Sequence, residues 1–127
     1  MKRTLLVDGM FCIYDKEFKL NEDLLEIVNA FGTKKILVVN GFREKGRDAL
    51  KDYNFEAFSL EEQKIKKNNV EYFKKLLGKF NLKLDETIYF DHDEENVKIA
   101  KELGMLATHY TKNEEEIKRF IEKNIIF

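Results

Sequence analysis

Two short apolar runs in this chain stop on a carboxylate: Thr4-Leu5-Leu6-Val7-Asp8-Gly9 and, far downstream, Thr87-Ile88-Tyr89-Phe90-Asp91. In open parallel α/β sheets, ligands sit beyond the carboxyl ends of the strands, near the point where strand order reverses. If the two strands are neighbours, Asp8 and Asp91 come close enough to share a proton or a cation. Mg²⁺ suits such a pair, because it prefers oxygen ligands and keeps several waters. A carboxylate beside Mg²⁺ can also attack phosphorus and form an aspartyl phosphate, which splits a hard hydrolysis into two easier steps. Asp8 is the better nucleophile candidate of the two. The competing reading makes Asp8-Gly9 and Asp91-His92-Asp93 ordinary turn and cap residues, which strand ends favour in any fold.

The elements that must position these carboxylates alternate in the βαβ manner, short apolar runs with longer segments of helical spacing, so a mostly parallel sheet is expected. Asn21 is a good N-cap, with Glu22 and Asp23 in the first turn; Leu24, Ile27, Val28 and Phe31 form an apolar stripe, and Gly32 closes the helix. Lys35-Ile36-Leu37-Val38-Val39-Asn40 reads as a strand covered on both faces, and Gly41 follows as a turn, so Asn40 stands at a third strand end. A helix over roughly Glu44 to Asp52 leads to a weaker strand at Phe55-Glu56-Ala57-Phe58. The next helix buries Val70, Phe73, Leu77 and Phe80. After the Asp91 strand, Asp93 caps a helix that turns Val97, Ala100 and Leu103 inward and stops at Gly104. Met105 to Tyr110 gives a fifth strand, and a last helix starts near Asn113 and buries Ile117, Phe120, Ile121 and Ile125. Five strands and about five helices use the whole chain as a single domain, residues 1–127.

With 43% hydrophobic and 37% charged residues, the 127-residue chain is expected to fold alone around a real core rather than stay disordered. The formal net charge of -1 arises from acids and bases spread along the chain, so neither nucleic acid nor an anionic membrane is indicated as a partner. The run Lys64-Ile65-Lys66-Lys67 is read as a solvated face. No run approaches a membrane span, the N-terminus is too short in apolar residues for a signal peptide, and the cytoplasm is the expected compartment. Cys12 is the sole cysteine, so no internal disulfide can form, and a structural zinc site is not expected without a cysteine partner or a His cluster. Nothing in the sequence pairs a base with Cys12, so it is not read as a nucleophile.

The order of these features resembles the haloacid dehalogenase (HAD) superfamily over essentially the full length. Leu5-Leu6-Val7-Asp8-Gly9-Met10-Phe11 is similar to the family's first motif, a strand ending in a nucleophilic Asp. Leu37-Val38-Val39-Asn40-Gly41 resembles the second. Lys67-Asn68-Asn69-Val70-Glu71-Tyr72-Phe73 resembles the third, a Lys just ahead of a helix. Tyr89-Phe90-Asp91-His92-Asp93-Glu94-Glu95-Asn96-Val97, followed by Ala100-Lys101-Glu102-Leu103-Gly104-Met105, is the most specific match. The resemblance implies a three-layer Rossmann-like doubly wound sheet with no cap domain, since only a small flap around Cys12 to Lys19 and one helix separate the first two strands. It implies Asp8 as nucleophile, and Mg²⁺ held by Asp8, the main-chain carbonyl of Met10 and Asp91. Lys67 would offset charge on nucleophile and phosphoryl group, with Asn40, Gly41 and Lys67 contacting a phosphorylated small molecule or macromolecule. The implied activity is phosphatase-type hydrolysis, and an open capless site of this kind also admits a homo-oligomer.

The departures are specific. Phosphate-ester hydrolases of the family carry a second Asp where this chain has Met10, and methionine cannot move protons. Val39 replaces the hydroxyl of the second motif, leaving Asn40 as the amide donor. His92 stands where many members have an acid, with Asp93 one position late; an imidazole there either transfers protons or is a solvated loop residue. The rival reading is therefore a catalytically silent HAD-like domain that binds a phosphorylated ligand or a protein partner. A receiver domain of phosphorelay signalling fits less well, because it needs paired acids after the first strand and a phosphorylated Asp after the third, where this chain has Asp8 alone and Phe58-Ser59.

Overall fold

The computed structural model describes residues 1–41 and 43–127, with Arg43 described by its backbone alone. Its centre is β1 (Thr4–Asp8), every residue of which is buried, as a strand covered on both faces must be. Around it stand β2 (Lys35–Val38), β3 (Phe55–Phe58), β4 (Thr87–Asp91) and β5 (Leu106–His109), joined by α1 (Glu22–Asn29), α2 (Arg43–Ala49), α3 (Val70–Phe80) and α4 (Glu94–Leu103) and followed by α5 (Glu114–Asn124). The order across the sheet is β3-β2-β1-β4-β5, all parallel. This is the expected doubly wound α/β fold, and the strand order reverses between β1 and β4, the two strands that carry the carboxylates. A receiver-type sheet would place β3 beside β1; here β1 lies between β2 and β4, which rejects that alternative.

The period of two along each strand sorts side chains onto two apolar layers. Leu5, Val7, Leu37, Ile88 and Phe90 meet α1 and α5 through Leu24, Leu25, Val28, Ile117, Ile121 and Ile125. Leu6, Ile36, Val38 and Tyr89 meet α3 and α4 through Tyr72, Phe73, Leu76, Val97 and Ala100. Asp8 shares parity with Leu6, and Asp91 with Tyr89, so both carboxylates point to the α3/α4 side. The register aligns Leu6 with Tyr89 and Val7 with Phe90, so Asp8 and Asp91 fall side by side one step beyond the last pair.

The expected caps at Asn21, Asp93 and Gly104 are present, Asn113 caps the last helix, and Asn69 is a cap that the sequence reading did not single out. Asn21, Asn69, Asp93 and Asn113 each accept a backbone N–H of the following first turn, and Gly104 takes the left-handed conformation after α4 with φ 109. Several boundaries differ. The first helix ends at Asn29 rather than running through Phe31 to Gly32, and the second ends at Ala49 rather than Asp52. Strand β2 stops at Val38, so Val39 and Asn40 belong to the loop, although Val39 N–H still bonds Phe58 O at 3.1 Å. In α3 the fully buried side is Tyr72, Phe73 and Leu76, with Val70, Leu77 and Phe80 as half-buried flanks; the sequence stripe was rotated by about one position. The reason is that the Tyr72 hydroxyl finds partners in Val39 O at 2.8 Å and Phe58 O at 3.0 Å, which lets a polar-tipped ring take the centre of the buried face. Of the apolar tail, Ile125 is buried against the domain while Ile126 and Phe127 stay exposed. Among the described residues no helix is long and apolar enough to cross a membrane.

Candidate active site

Asp8 and Asp91 are both buried, and the buried ammonium of Lys67 lies between them, 2.5 Å from Asp8 Oδ1 and 2.8 Å from Asp91 Oδ2. Three features fix that lysine. Its Nζ also donates to Val38 O at 3.1 Å, its main-chain N–H donates to Asn40 Oδ1 at 2.7 Å, and α3 begins just after it at the Asn69 cap. The end of β2 thus serves to seat Lys67. Burial alone would pull the lysine's pKa down, but Asp8 and Asp91 outweigh it and hold it above the ordinary range, so the ammonium keeps its charge. The sequence reading of Lys64 to Lys67 as a solvated face is corrected at Lys67, which is 3% exposed.

Asp91 is anchored largely from its own segment. Tyr89, two residues earlier on the same face, donates its hydroxyl to Asp91 Oδ2; Asp93 N–H donates to Oδ1 at 2.8 Å and Asn96 Nδ2 to Oδ2 at 3.4 Å. Burial pushes the Asp91 carboxyl up, but Lys67, His92 and Tyr89 together hold it well below the ordinary carboxylate range.

Asp8 is held by the turn that follows it and by the loop after β4. Its Oδ2 accepts the Cys12 thiol at 3.2 Å, the His92 N–H at 3.2 Å, and contacts His92 Nδ1 at 2.5 Å. Cys12 gets there because the chain turns back on itself after β1. Phe11 adopts φ 69, its N–H bonds Tyr14 O at 2.7 Å, and the N–H groups of Cys12, Ile13 and Tyr14 converge on Gly9 O. Gly9 is required by this turn, since a Cβ there would lie 2.5 Å from the Tyr14 hydroxyl and 2.7 Å from Val39 Cγ1. The same hydroxyl lies 2.5 Å from where a Cβ on Gly46 of α2 would be, which accounts for a glycine inside a helix. Burial, then Asp8 and Asp91, push the Cys12 thiol far up, so it is a neutral donor as it stands.

His92 spans the pair: Nδ1 is 2.5 Å from Asp8 Oδ2 and 3.3 Å from Asp91 Oδ1, on a side chain 36% exposed. The hydrogen bonds to Asp8, then to Asp91, outweigh burial and raise its pKa from 6.5 to about 10. The sequence left it between a solvated loop residue and a proton carrier, and the geometry removes the first of these. Two buried carboxylates are therefore matched by two cations, Lys67 and His92. Among the described residues no buried side-chain nitrogen or oxygen lacks a partner.

A cleft of about 600 Å³ opens over Asp8, lined among others by Met10, Tyr14, Val39, Asn40, Gly41 and His92. All the expected site residues (Asp8, Met10, Asn40, Gly41, Lys67 and Asp91) are thus at one end of the sheet. Asn40 already spends its carbonyl oxygen on Lys67 N–H. Sequence reasoning assigned no role to Tyr89, Asn96 or Cys12. Tyr89 could have been found from its i,i+2 relation to Asp91 and Asn96 from its place one turn into α4, whereas nothing local announces Cys12.

No protein-family model and no curated protein matches the sequence. Solved structures do. An uncharacterized protein from Corynebacterium glutamicum superposes with a TM-score of 0.73 at 18% identity over 96% of both chains. The core domain of a protein assigned as a phosphoglycolate phosphatase from Streptococcus pneumoniae gives 0.64 at 19% identity, again over 96% of both. The N-terminal part of a Bacteroides fragilis protein, containing a phosphatase domain complexed with Mg, gives 0.67 at 10% identity, with 99% of this chain covering 41% of that one. The fold is HAD-like. At these identities the likeness is one of fold, and in the HAD-like frame the turn and α1 are all that separates β1 from β2, so no cap is inserted there.

The donor chemistry at the end of this HAD-like sheet fits Mg²⁺: Asp8 and Asp91 offer carboxylate oxygens, and Met10 lies in the turn directly after Asp8. His92 Nδ1 lies against those same carboxylates, so a cation between them and the ring in this position exclude one another.

Proposed function

We propose that this protein is a Mg²⁺-dependent phosphoryl-transfer enzyme of phosphatase type, acting through Asp8 on a phosphorylated small molecule or macromolecule. The observation that carries the reading is the buried Lys67 ammonium shared between Asp8 and Asp91 at the strand-order switch point. A charge so deeply buried and so fully paired is costly to build for stability alone. It sits against the Asp8 oxygen opposite the attacking one and offsets charge as the phosphoryl group approaches.

Asp8, Met10 and Asp91 would hold the Mg²⁺, which when bound would neutralise charge on the phosphoryl oxygens. The chain's own residues do the rest. An Asp8 oxygen attacks phosphorus, the bond to the leaving oxygen breaks, and His92 gives that oxygen a proton. Water then attacks the phosphorus, the P–O bond to Asp8 breaks, inorganic phosphate leaves, and the proton lost by water returns to His92 as Asp8 regains its free carboxylate. His92 thus takes the proton-transfer work that Met10 cannot do, once its half-exposed side chain has swung off the two carboxylates toward the cleft to admit the cation.

A specific observation favours a second reading, binding without turnover. The two carboxylates are already balanced by Lys67 and His92, and Met10 stands where an acid would serve. The test is a screen of phosphate esters with Mg²⁺, using Asp8→Asn as the blank. Turnover in the wild type, absent from Asp8→Asn and lowered about 10²- to 10⁴-fold in His92→Gln, is the expected result. No turnover in the wild type or in Met10→Asp, while phosphorylated ligands still raise the melting temperature, would replace the enzyme reading with the binding one.

A further inference from the structure

We infer that Asp8, Cys12 and His92 form a second kind of metal site at the end of β1, one that selects a transition-metal ion of the Zn²⁺ class over Mg²⁺. The three side chains offer one oxygen, one sulfur and one nitrogen, all within 4.8 Å of one another. That donor set is foreign to Mg²⁺, which takes hard oxygen ligands, and is the mixed set that Zn²⁺ and its neighbours bind.

The spacing is close to what such an ion needs. Tetrahedral zinc at ordinary bond lengths keeps O, N and S ligand atoms about 3.3–3.6 Å apart. Asp8 Oδ2 and Cys12 Sγ are already 3.2 Å apart. Asp8 Oδ2 and His92 Nδ1, at 2.5 Å, must open by roughly 0.8–1 Å to reach that range, and the movable partner is the one that is 36% exposed. The Gly9 to Tyr14 turn already folds Cys12 beneath Asp8, with its thiol on Oδ2. Three protein ligands leave a fourth position to solvent or a ligand, and two of the three, Asp8 and His92, line the cleft.

Net charge is conserved in the exchange. The thiol and the imidazole each give up a proton to water as the ion binds, so a divalent cation replaces two protons beside two buried carboxylates. The absence of a second cysteine, which argued against zinc in the sequence, loses its force once His92 and Asp8 are seen to converge on Cys12. Binding at this site does not depend on phosphoryl transfer. Its consequence for turnover does rest on that reading: an ion that uses Asp8 Oδ2 and His92 Nδ1 removes the nucleophile and the proton carrier together.

The experiment uses Co²⁺ as a spectroscopic stand-in on the metal-free full chain. One Co²⁺ per chain should bind with a thiolate-to-cobalt charge-transfer band, and Zn²⁺ but not millimolar Mg²⁺ should abolish that band. Cys12→Ser should lose the band and bind Zn²⁺ at least about tenfold more weakly. His92→Gln, altering a half-exposed ring, serves as the second variant should the buried Cys12 substitution unfold the chain, and it too should lose at least tenfold. Co²⁺ binding without the band, or Zn²⁺ affinity unchanged in the folded variants, overturns the site. A Co²⁺ band with no phosphatase activity under any condition leaves the site standing and removes only the enzyme reading; Mg²⁺-dependent turnover without a band does the reverse.

Discussion

Asp91 at the end of β4 and Asp8 at the end of β1 share a residue type, a face of the sheet and a lysine, yet they are held differently. Asp91 is fastened by Tyr89, Asp93 and Asn96, all within five residues of it, and is wholly buried. Asp8 is fastened by the Cys12 turn, by Lys67 from ahead of α3 and by His92 from the β4 loop, and it lines the cleft. A carboxylate fixed mainly by its own segment is a fitting of the fold, whereas one held partly by the half-exposed His92 ring can exchange that partner for a ligand. The comparison therefore marks Asp91 as the more locally anchored carboxylate and Asp8 as the one that faces the cleft.

Removing the shared cation is the harshest way to break this distinction. Lys67→Met should cost about 3–5 kcal/mol in urea unfolding, because it leaves buried carboxylates short of a counterion. A second substitution then separates the two ends. Asp8→Asn in the Lys67→Met background should recover more of the loss than Asp91→Asn does, because Asp91 is still needed as a carboxylate by Tyr89 and the Asp93 N–H. Equal recovery from both would mean that the two carboxylates are interchangeable and that the anchoring argument fails.

This asymmetry also decides what could be seen in the sequence. The surroundings of Asp91 are local: a strand of alternating faces, an N-cap at Asp93 and a helix that brings Asn96 round in its first turn, all written in consecutive residues. The surroundings of Asp8 depend on a non-glycine residue, Phe11, entering the left-handed region, and on a ring from a loop that only the strand order brings near. No periodicity encodes either. Asn40 shows the intermediate case, in the loop just beyond β2 rather than at the strand end, and committed to the backbone of Lys67, a partner on the other side of β3 in the chain. The helix boundaries missed by a few residues at Phe31 and Asp52 are ordinary fraying, and the rotated stripe of α3 arose because the Tyr72 hydroxyl could be satisfied inside.

Support from outside its own segment should make the β1 end sensitive to changes in a distant helix. Gly46→Ala would push the Tyr14 ring off Gly9 and loosen the turn that carries Cys12, at a cost of about 1–3 kcal/mol. Gly78→Ala in α3, where a Cβ meets nothing within 4 Å, should instead stabilise by about 0.4–1 kcal/mol. Chemical denaturation of both variants checks the sign. A neutral Gly46→Ala would show that the turn below Asp8 does not lean on α2.

The smallest expected effect concerns His92, the one group that touches both carboxylates. Its pKa is raised from 6.5 to about 10, first by the hydrogen bond to Asp8 and next by that to Asp91. Because the folded value lies above the unfolded one, its contribution to stability is complete below about pH 6.5 and is lost as pH rises toward 10. Partial exposure of the ring screens that contribution, so the expected slope is shallow. The site-specific readout is the His92 titration followed by NMR of its ring nitrogens. Asp8→Asn should bring the midpoint down further than Asp91→Asn does, since Asp8 supplies the leading cause. The opposite order would tie His92 to the anchoring carboxylate, and would leave Asp8 without the proton-carrying neighbour that its assigned chemistry requires.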